Sequence, residues 1–163
     1  MKNKTIYLIG MLLSFPLFAL ESDPDQPIYI DSNSASYDDA KQVSIYTGNV
    51  IATQGSIRIN ADRLVIYLKN GDVSKLVSTG NPAHFKQSPG KGKEDIKAQS
   101  LIGEYYPERA ELVLKKKAKV TQGTNTYTSE LIRYDSRRAI VRAGEKSSDS
   151  KRVRVILQPK KKK

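Results

Sequence analysis

The chain has 163 residues, no cysteine, no tryptophan and three phenylalanines, with 38% apolar residues and a formal net charge of +11. Without cysteine there are neither disulfide staples nor thiolate metal sites, so stability must come from packing and hydrogen bonding alone. So large a positive excess points to an anionic partner: nucleic acid, an anionic membrane surface or an anionic small ligand.

Lys2 and Lys4 precede an apolar run from Ile6 to Phe18, broken by Ser14 and Pro16 and followed by Ala19. A basic start, a short apolar stretch and a small residue form the pattern of a secretory signal peptide over residues 1–19. The run is short of the ~20 apolar residues that span a membrane. Export of the remainder is therefore expected, with a charge of +9 once Lys2 and Lys4 are gone. Residues 20–159 are long enough for one domain with a core, and Lys160–Lys163 reads as a disordered basic tail.

Glu21–Pro27 is polar, holds two prolines and reads as an extended lead-in. Ile28 and Ile30 flank Tyr29 in a short strand. Ser32–Gln42 is polar, with a turn at Tyr37–Lys41. Val43, Ile45 and Thr47 restore the alternation of a half-buried strand. Gly48-Asn49 reads as a two-residue hairpin turn, because both residues tolerate positive φ, and a strand from Val50 to Thr53 follows. After Gln54-Gly55, Ile57 and Ile59 alternate with Arg58 and Asn60, and Leu64–Leu68 is a more continuous apolar strand. Lys69–Asp72 is another hairpin signal. Lys75–Thr79 and Ala83–Gln87 flank Gly80-Asn81-Pro82, and Ser88–Asp95 is a loop.

In the second half, strands are expected at Ile96–Glu104, Ala110–Leu114, Lys117–Thr121, Thr124–Thr128, Leu131–Tyr134, Ala139–Arg142 and Val153–Leu157. The unit Thr47–Asp62 returns about 68 residues later at Ala118–Glu130, keeping Gln122-Gly123 but placing Asn125 and Tyr127 where the first copy has isoleucines. The first half is therefore expected to be the more apolar. Many short strands with no sustained 3.6-residue period indicate an all-β protein of antiparallel neighbours. Few aromatics suffice if each strand faces solvent on one side and a narrow interior on the other.

No catalytic constellation is legible. His84 is the single histidine, there is no Gly-x-Ser-x-Gly elbow and no spaced His-Glu cluster for a metal. Gly90–Lys93 lacks the preceding glycine and following Ser/Thr of a phosphate loop. The expectation is a binding protein rather than an enzyme, with no cofactor, no metal and no nucleic-acid partner. One apolar seam carries the binding hypothesis: Ile28, Ile30, Val43, Ile45, Ile57, Ile59, Leu64, Ile66, Val77, Phe85, Leu112 and Leu114. With Val50 and Tyr105, these residues form either a plain core or a lining for acyl chains.

Gln26–Ser32, Tyr46–Arg63 and Gly80–Phe85 resemble the LptA (OstA-like) family of periplasmic lipopolysaccharide-transport proteins, and the likeness extends from about Gln26 to Leu157. The departure is Lys115–Lys119, which stands where a Leu-x-Gly-Asn-Ala hairpin is expected. The resemblance implies a β-jellyroll of about sixteen antiparallel strands with V-shaped open ends. It implies lipid A acyl chains in the interior, an inner-membrane partner LptC, the N-terminal domain of outer-membrane LptD, and end-to-end self-association. The first strand would face the inner-membrane partner and the last strands the next protomer. The candidate lipid-binding set is Ile28, Ile30, Val43, Ile45, Val50, Ile57, Ile59, Leu64, Ile66, Phe85, Tyr105 and Leu112. A structural tether with a sealed interior and a polyanion-binding surface remain the alternatives.

Overall fold

Period-two alternation builds nearly everything in the computed structural model, which describes residues 23–90, 92–144 and 152–159. The predicted signal peptide and lysine tail lie outside the described residues. Ten strands follow in order: β1 (Ile28–Asp31), β2 (Ser34–Asp38), β3 (Val43–Gln54), β4 (Ile57–Lys69), β5 (Asp72–Gln87), β6 (Ile96–Tyr106), β7 (Glu111–Gln122), β8 (Asn125–Asp135), β9 (Ile140–Ala143) and β10 (Arg154–Ile156). All belong to one antiparallel sheet. β3 to β8 are neighbours in sequence order, β1 and β2 both pair with β3, and β9 and β10 both pair with β8.

The long strands are all creased near their middles. Register shifts fall in line between Thr47 and Val50, Asn60 and Arg63, Thr79 and Ala83, Gln99 and Ile102, and Lys115 and Ala118, one on each successive pair, and the β4–β5 pair has a second near its hairpin end, between Tyr67 and Leu68. A bulge adds residues to one strand, bends it and increases its twist. Five bulges in line across a sheet therefore fold it into two leaves. Leaf I carries β1, β10 and the halves of β3–β8 that contain Val50–Gln54, Ile57–Asn60 and Ala83–Gln87; leaf II carries β2, β9 and the other halves. Each leaf is eight strands wide, so the expected count of about sixteen corresponds to half-strands. Ten is the number of continuous ones among the described residues.

Gly48-Asn49 is consequently a bulge and not a hairpin turn. Gly48 and Asn49 have φ of 82° and 48°, yet β3 continues through them without reversing, taking three steps while β4 takes two. Gly80-Asn81-Pro82 likewise lies inside β5. Lys116 and Lys117 occupy the same place in β7 as Gly48-Asn49 in β3, with φ of 64° and 53°. The lysine run thus adopts the left-handed pair that its sequence disfavours. Gln54-Gly55 and Gln122-Gly123 are true hairpin ends, each glycine at φ 56°.

The leaves face each other. Phe85 pairs with Ala98 on β6, and Tyr105 lies seven residues further along that strand, roughly 23 Å away if the strand were straight. The two rings are 6.0 Å apart, which only a folded sheet allows. One core cluster joins leaf I residues such as Val50, Ile59, Ile96 and Val120 to leaf II residues such as Leu64, Leu76, Leu114 and Tyr134.

Candidate functional site

Residues directly opposite in an antiparallel ladder share a face, so the register sorts the candidate set. Leu64 and Ile66 face the interior, and so do Leu112 and Tyr105, which pair with each other. Val50, Ile57, Ile59 and Phe85 face it from leaf I. Ile28 and Ile30 pair with Gln54 and Ala52 and join the interior at the β1 edge, half-buried.

Val43 and Ile45 do not. Ile45 pairs with Val65, and Val43 with Tyr67, so both stand on the outer face of leaf II beside Val77. The reason is parity: the residues of β3 opposite Leu64 and Ile66 are Tyr46 and Ser44. Treating Thr47–Val50 as a hairpin hides that relation, since face assignments do not carry through a turn as they do through a bulge.

Several interior residues were absent from the candidate set: Leu76, Ile96, Ala98, Ala118, Val120, Ile132 and Tyr134 are all buried in the same cluster. The 68-residue repeat carries the signal for four of them. It maps Val50, Ala52, Leu64 and Ile66 onto Ala118, Val120, Ile132 and Tyr134. The expected asymmetry of the repeat is present, with Ile57 and Ile59 buried and Asn125 and Tyr127 half-buried.

The interior is packed. The hollows between the leaves, one beside Phe85 and Leu114 and one beside Ile28 and Tyr105, are about 10 Å³ each, about the least that admits a water molecule. The large space lies at the mouth, where the hairpin ends of the two leaves stand opposite each other across a cleft of about 1180 Å³. Leaf I contributes Gly55, Ser56, Gln87 and Ser88 to its rim; leaf II contributes Asn70, Asp72, Glu108 and Arg137.

A short 3-10 turn, Asp23–Asp25, is pinned to the leaf I side of this mouth. The Ser56 backbone N–H donates to Asp23 Oδ1 at 2.6 Å, and Ser56 Oγ and Gln87 Nε2 donate to Oδ2 at 2.8 and 2.7 Å. Gly55 suits the position beneath it, because its φ of 56° is left-handed and a Cβ there would press on Asp23 Oδ1.

Three polar atoms are buried behind the mouth without a hydrogen-bond partner among the described residues: Gln87 Oε1 and the hydroxyls of Tyr105 and Tyr134. Burial, followed by the negative charge of Asp23, pushes the Tyr105 phenol up to about 12. Burial, then Asp135 and Asp23, does the same to Tyr134, also about 12. Both phenols therefore stay protonated at neutral pH and are able to donate.

The outer faces of the leaves differ. On leaf II, Val113 is buried between Glu104 and Arg133, beneath an ion-paired layer in which Lys115 meets Glu104 at 2.7 Å and Arg109 meets Glu111 at 3.1 Å. Burial alone would raise the Glu104 carboxyl, but hydrogen bonds from Lys115 and Tyr106 outweigh it and hold the pKa below its ordinary value.

The family described as "LptA/(LptD N-terminal domain) LPS transport protein" matches residues 29–139. The lipopolysaccharide export system protein LptH of Pseudomonas aeruginosa is 38% identical over 161 residues, covering 95% of this chain and 92% of that protein. The lipopolysaccharide export system protein LptA of Escherichia coli K12 is 35% identical over 148 residues, covering 90% and 78%. The crystal structure of LptH, the LptA homologous periplasmic component of the conserved lipopolysaccharide transport device from Pseudomonas aeruginosa, superposes with a TM-score of 0.78 at 34% identity, covering 85% of this chain and all of that one.

Proposed function

We propose, from the premise that this chain belongs to the LptA/LptD N-terminal-domain family of lipopolysaccharide transport proteins, that it works in the periplasm and carries lipopolysaccharide with the acyl chains held between its two leaves. The observation that supports this most is the single apolar face shared by both leaves, closed along the crease and gaping at the mouth. Since the interior is packed, chains enter by parting the leaves at the hairpin ends while the crease stays paired. Each methylene moved from water to such an interior gains ~0.8 kcal/mol. A chain lodged there does not return to water readily, yet it passes to an identical interior at almost no cost.

Both ends of the folded sheet are built for such transfer. β1 and β2 at one end and β9 and β10 at the other are edge strands, a liability that proteins normally blunt. With eight strands in each leaf, a copy placed end to end continues the antiparallel alternation in both leaves at once. This is a heterologous, non-closing contact that extends into a rod. We assign the β1–β2 end to an inner-membrane partner of LptC type. The β9–β10 end goes to a further copy or to an LptD-type N-terminal domain.

The packed interior favours one rival, a tether whose edges bind neighbours and whose interior takes no lipid. A photoreactive residue placed at Phe85, at Ile30 or at Ile45 in living cells separates the two. Lipid carriage yields lipopolysaccharide adducts at Phe85 and Ile30 and none at Ile45 on the outer face; a tether yields none at any of the three.

A further inference from the structure

The outer face of leaf I carries a grid of polar side chains that the transport reading leaves unused. In the row next to the hairpin ends, Arg58 pairs with Lys86, and Lys86 with Lys97, with Thr121 opposite Lys97. In the next row, Asn60, His84, Gln99 and Lys119 stand opposite one another in turn. These eight side chains line one hollow of about 340 Å³. The grid contains four cations and no acid, and none of the ion pairs among the described residues involves them.

Like charges directly opposite each other across strands destabilise a sheet. Here three cations stand in one such row with no acid among them, whereas on leaf II, where Arg133 also stands opposite Arg142, Glu104 and Glu111 lie among the cations and pair with Lys115, Arg109 and Arg133. The arrangement makes sense when an anion spans the row. Arg58 is held in place by its Nε–H, which donates to Asn60 Oδ1 at 3.1 Å. The amides of Asn60 and Gln99 and the ring of His84 add donors and acceptors suited to hydroxyl groups.

The row also sits at the lip of the mouth. Arg58 follows the interior residue Ile57, Lys97 follows Ile96, and Lys86 precedes Gln87 on the rim, so the cations are within about 10 Å of the cleft. From this we infer that the hollow binds a compact phosphorylated sugar, the headgroup of a glycolipid whose chains enter between the leaves. Acyl chains and headgroup then straddle the hairpin ends of leaf I. A second hollow of about 590 Å³, lined by Lys117, Lys119, Arg152 and Arg154 with one acid, Glu130, extends the basic surface to β10, so cations are spread from β4 to β10 toward the next protomer. The identity of this ligand rests on the transport reading; the anion site itself does not.

The test is a titration of the full mature chain with lipopolysaccharide headgroup oligosaccharide stripped of its acyl chains. The wild-type protein should bind it, and the double variant Lys86→Gln, Lys97→Gln should lose at least tenfold in affinity. Its thermal midpoint should hold or rise, because repulsion is removed. The charge-matched variant Lys75→Gln, Arg142→Gln on leaf II should keep the wild-type affinity. Enzymatic removal of the phosphates should weaken binding as much as the double variant does. Unchanged affinity in Lys86→Gln, Lys97→Gln overturns the proposal. So does equal loss in the leaf II control, or inorganic phosphate or anionic phospholipid vesicles binding as tightly as the oligosaccharide. Because the oligosaccharide has no acyl chain, these results are independent of whether Phe85 captures lipid.

Discussion

Tyr105 and Tyr134 each keep a hydroxyl in an interior where nothing described accepts or receives its proton. A buried polar group without a partner costs about 1–3 kcal/mol, so Tyr134→Phe should raise stability in urea by about 1 kcal/mol. If lipid oxygens meet these hydroxyls in the loaded state, the same change should weaken lipopolysaccharide binding. An alkaline titration checks the environment separately. Both phenols are raised to about 12, while unfolded phenols ionise near 10. The contribution of each is therefore complete below pH 10 and is lost as pH climbs toward 12, at about 1.4 kcal/mol per pH unit. The double Phe variant should lose that slope; a slope unchanged in the variant would show that other groups cause it. Lys116 and Lys117 make a second residue-level case. Left-handed φ is strained for side chains other than glycine and asparagine, and the equivalent bulge in β3 uses that pair. Lys116→Gly with Lys117→Asn should raise the unfolding free energy measured in urea, by about 1 kcal/mol in all. No gain would mean that the lysines compensate elsewhere.

At the scale of elements, sequence alone revealed the strands better than the bends. Alternation at Ile57/Ile59 and Leu112/Leu114 marks β4 and β7 plainly. What it does not mark is whether a Gly-Asn pair reverses a strand or creases it, because both use positive φ and only the partner strand decides. That one ambiguity split long strands in two and placed Val43 and Ile45 on the wrong face. β2 was unreadable for another reason: Ser34, Ala35, Ser36 and Tyr37 are exposed, so no buried face imposes a pattern on them. Its existence follows from pairing with β3. Edge strands are also where assembly can be tested. Val155 on β10 pairs with Tyr127 on the interior side and is 46% exposed. Val155→Lys should leave the melting temperature of the monomer nearly unchanged while shifting end-to-end association, followed by analytical ultracentrifugation across a dilution series, toward monomer. Association that persists undiminished would remove β10 from the contact.

For the molecule as a whole, a packed interior, a wide mouth and a continuous crease describe a clamp closed at the crease and wide at the mouth. Composition foretold the narrow interior, since a chain with three phenylalanines and no tryptophan cannot fill a broad one. It could not foretell that four cations would share one hollow on the outer face of leaf I with no acid among them, because that depends on the register of four strands at once. The central claim is that lipid parts the leaves, and the absence of cysteine makes it directly measurable. Spin labels on Ser56→Cys and Asn70→Cys would stand on opposite sides of the mouth. Their separation, measured by pulsed electron spin resonance, should lengthen and sharpen on adding lipopolysaccharide and stay unchanged with the deacylated oligosaccharide. A separation that does not move while lipopolysaccharide is bound would contradict the account, because chains could not then lie between the leaves.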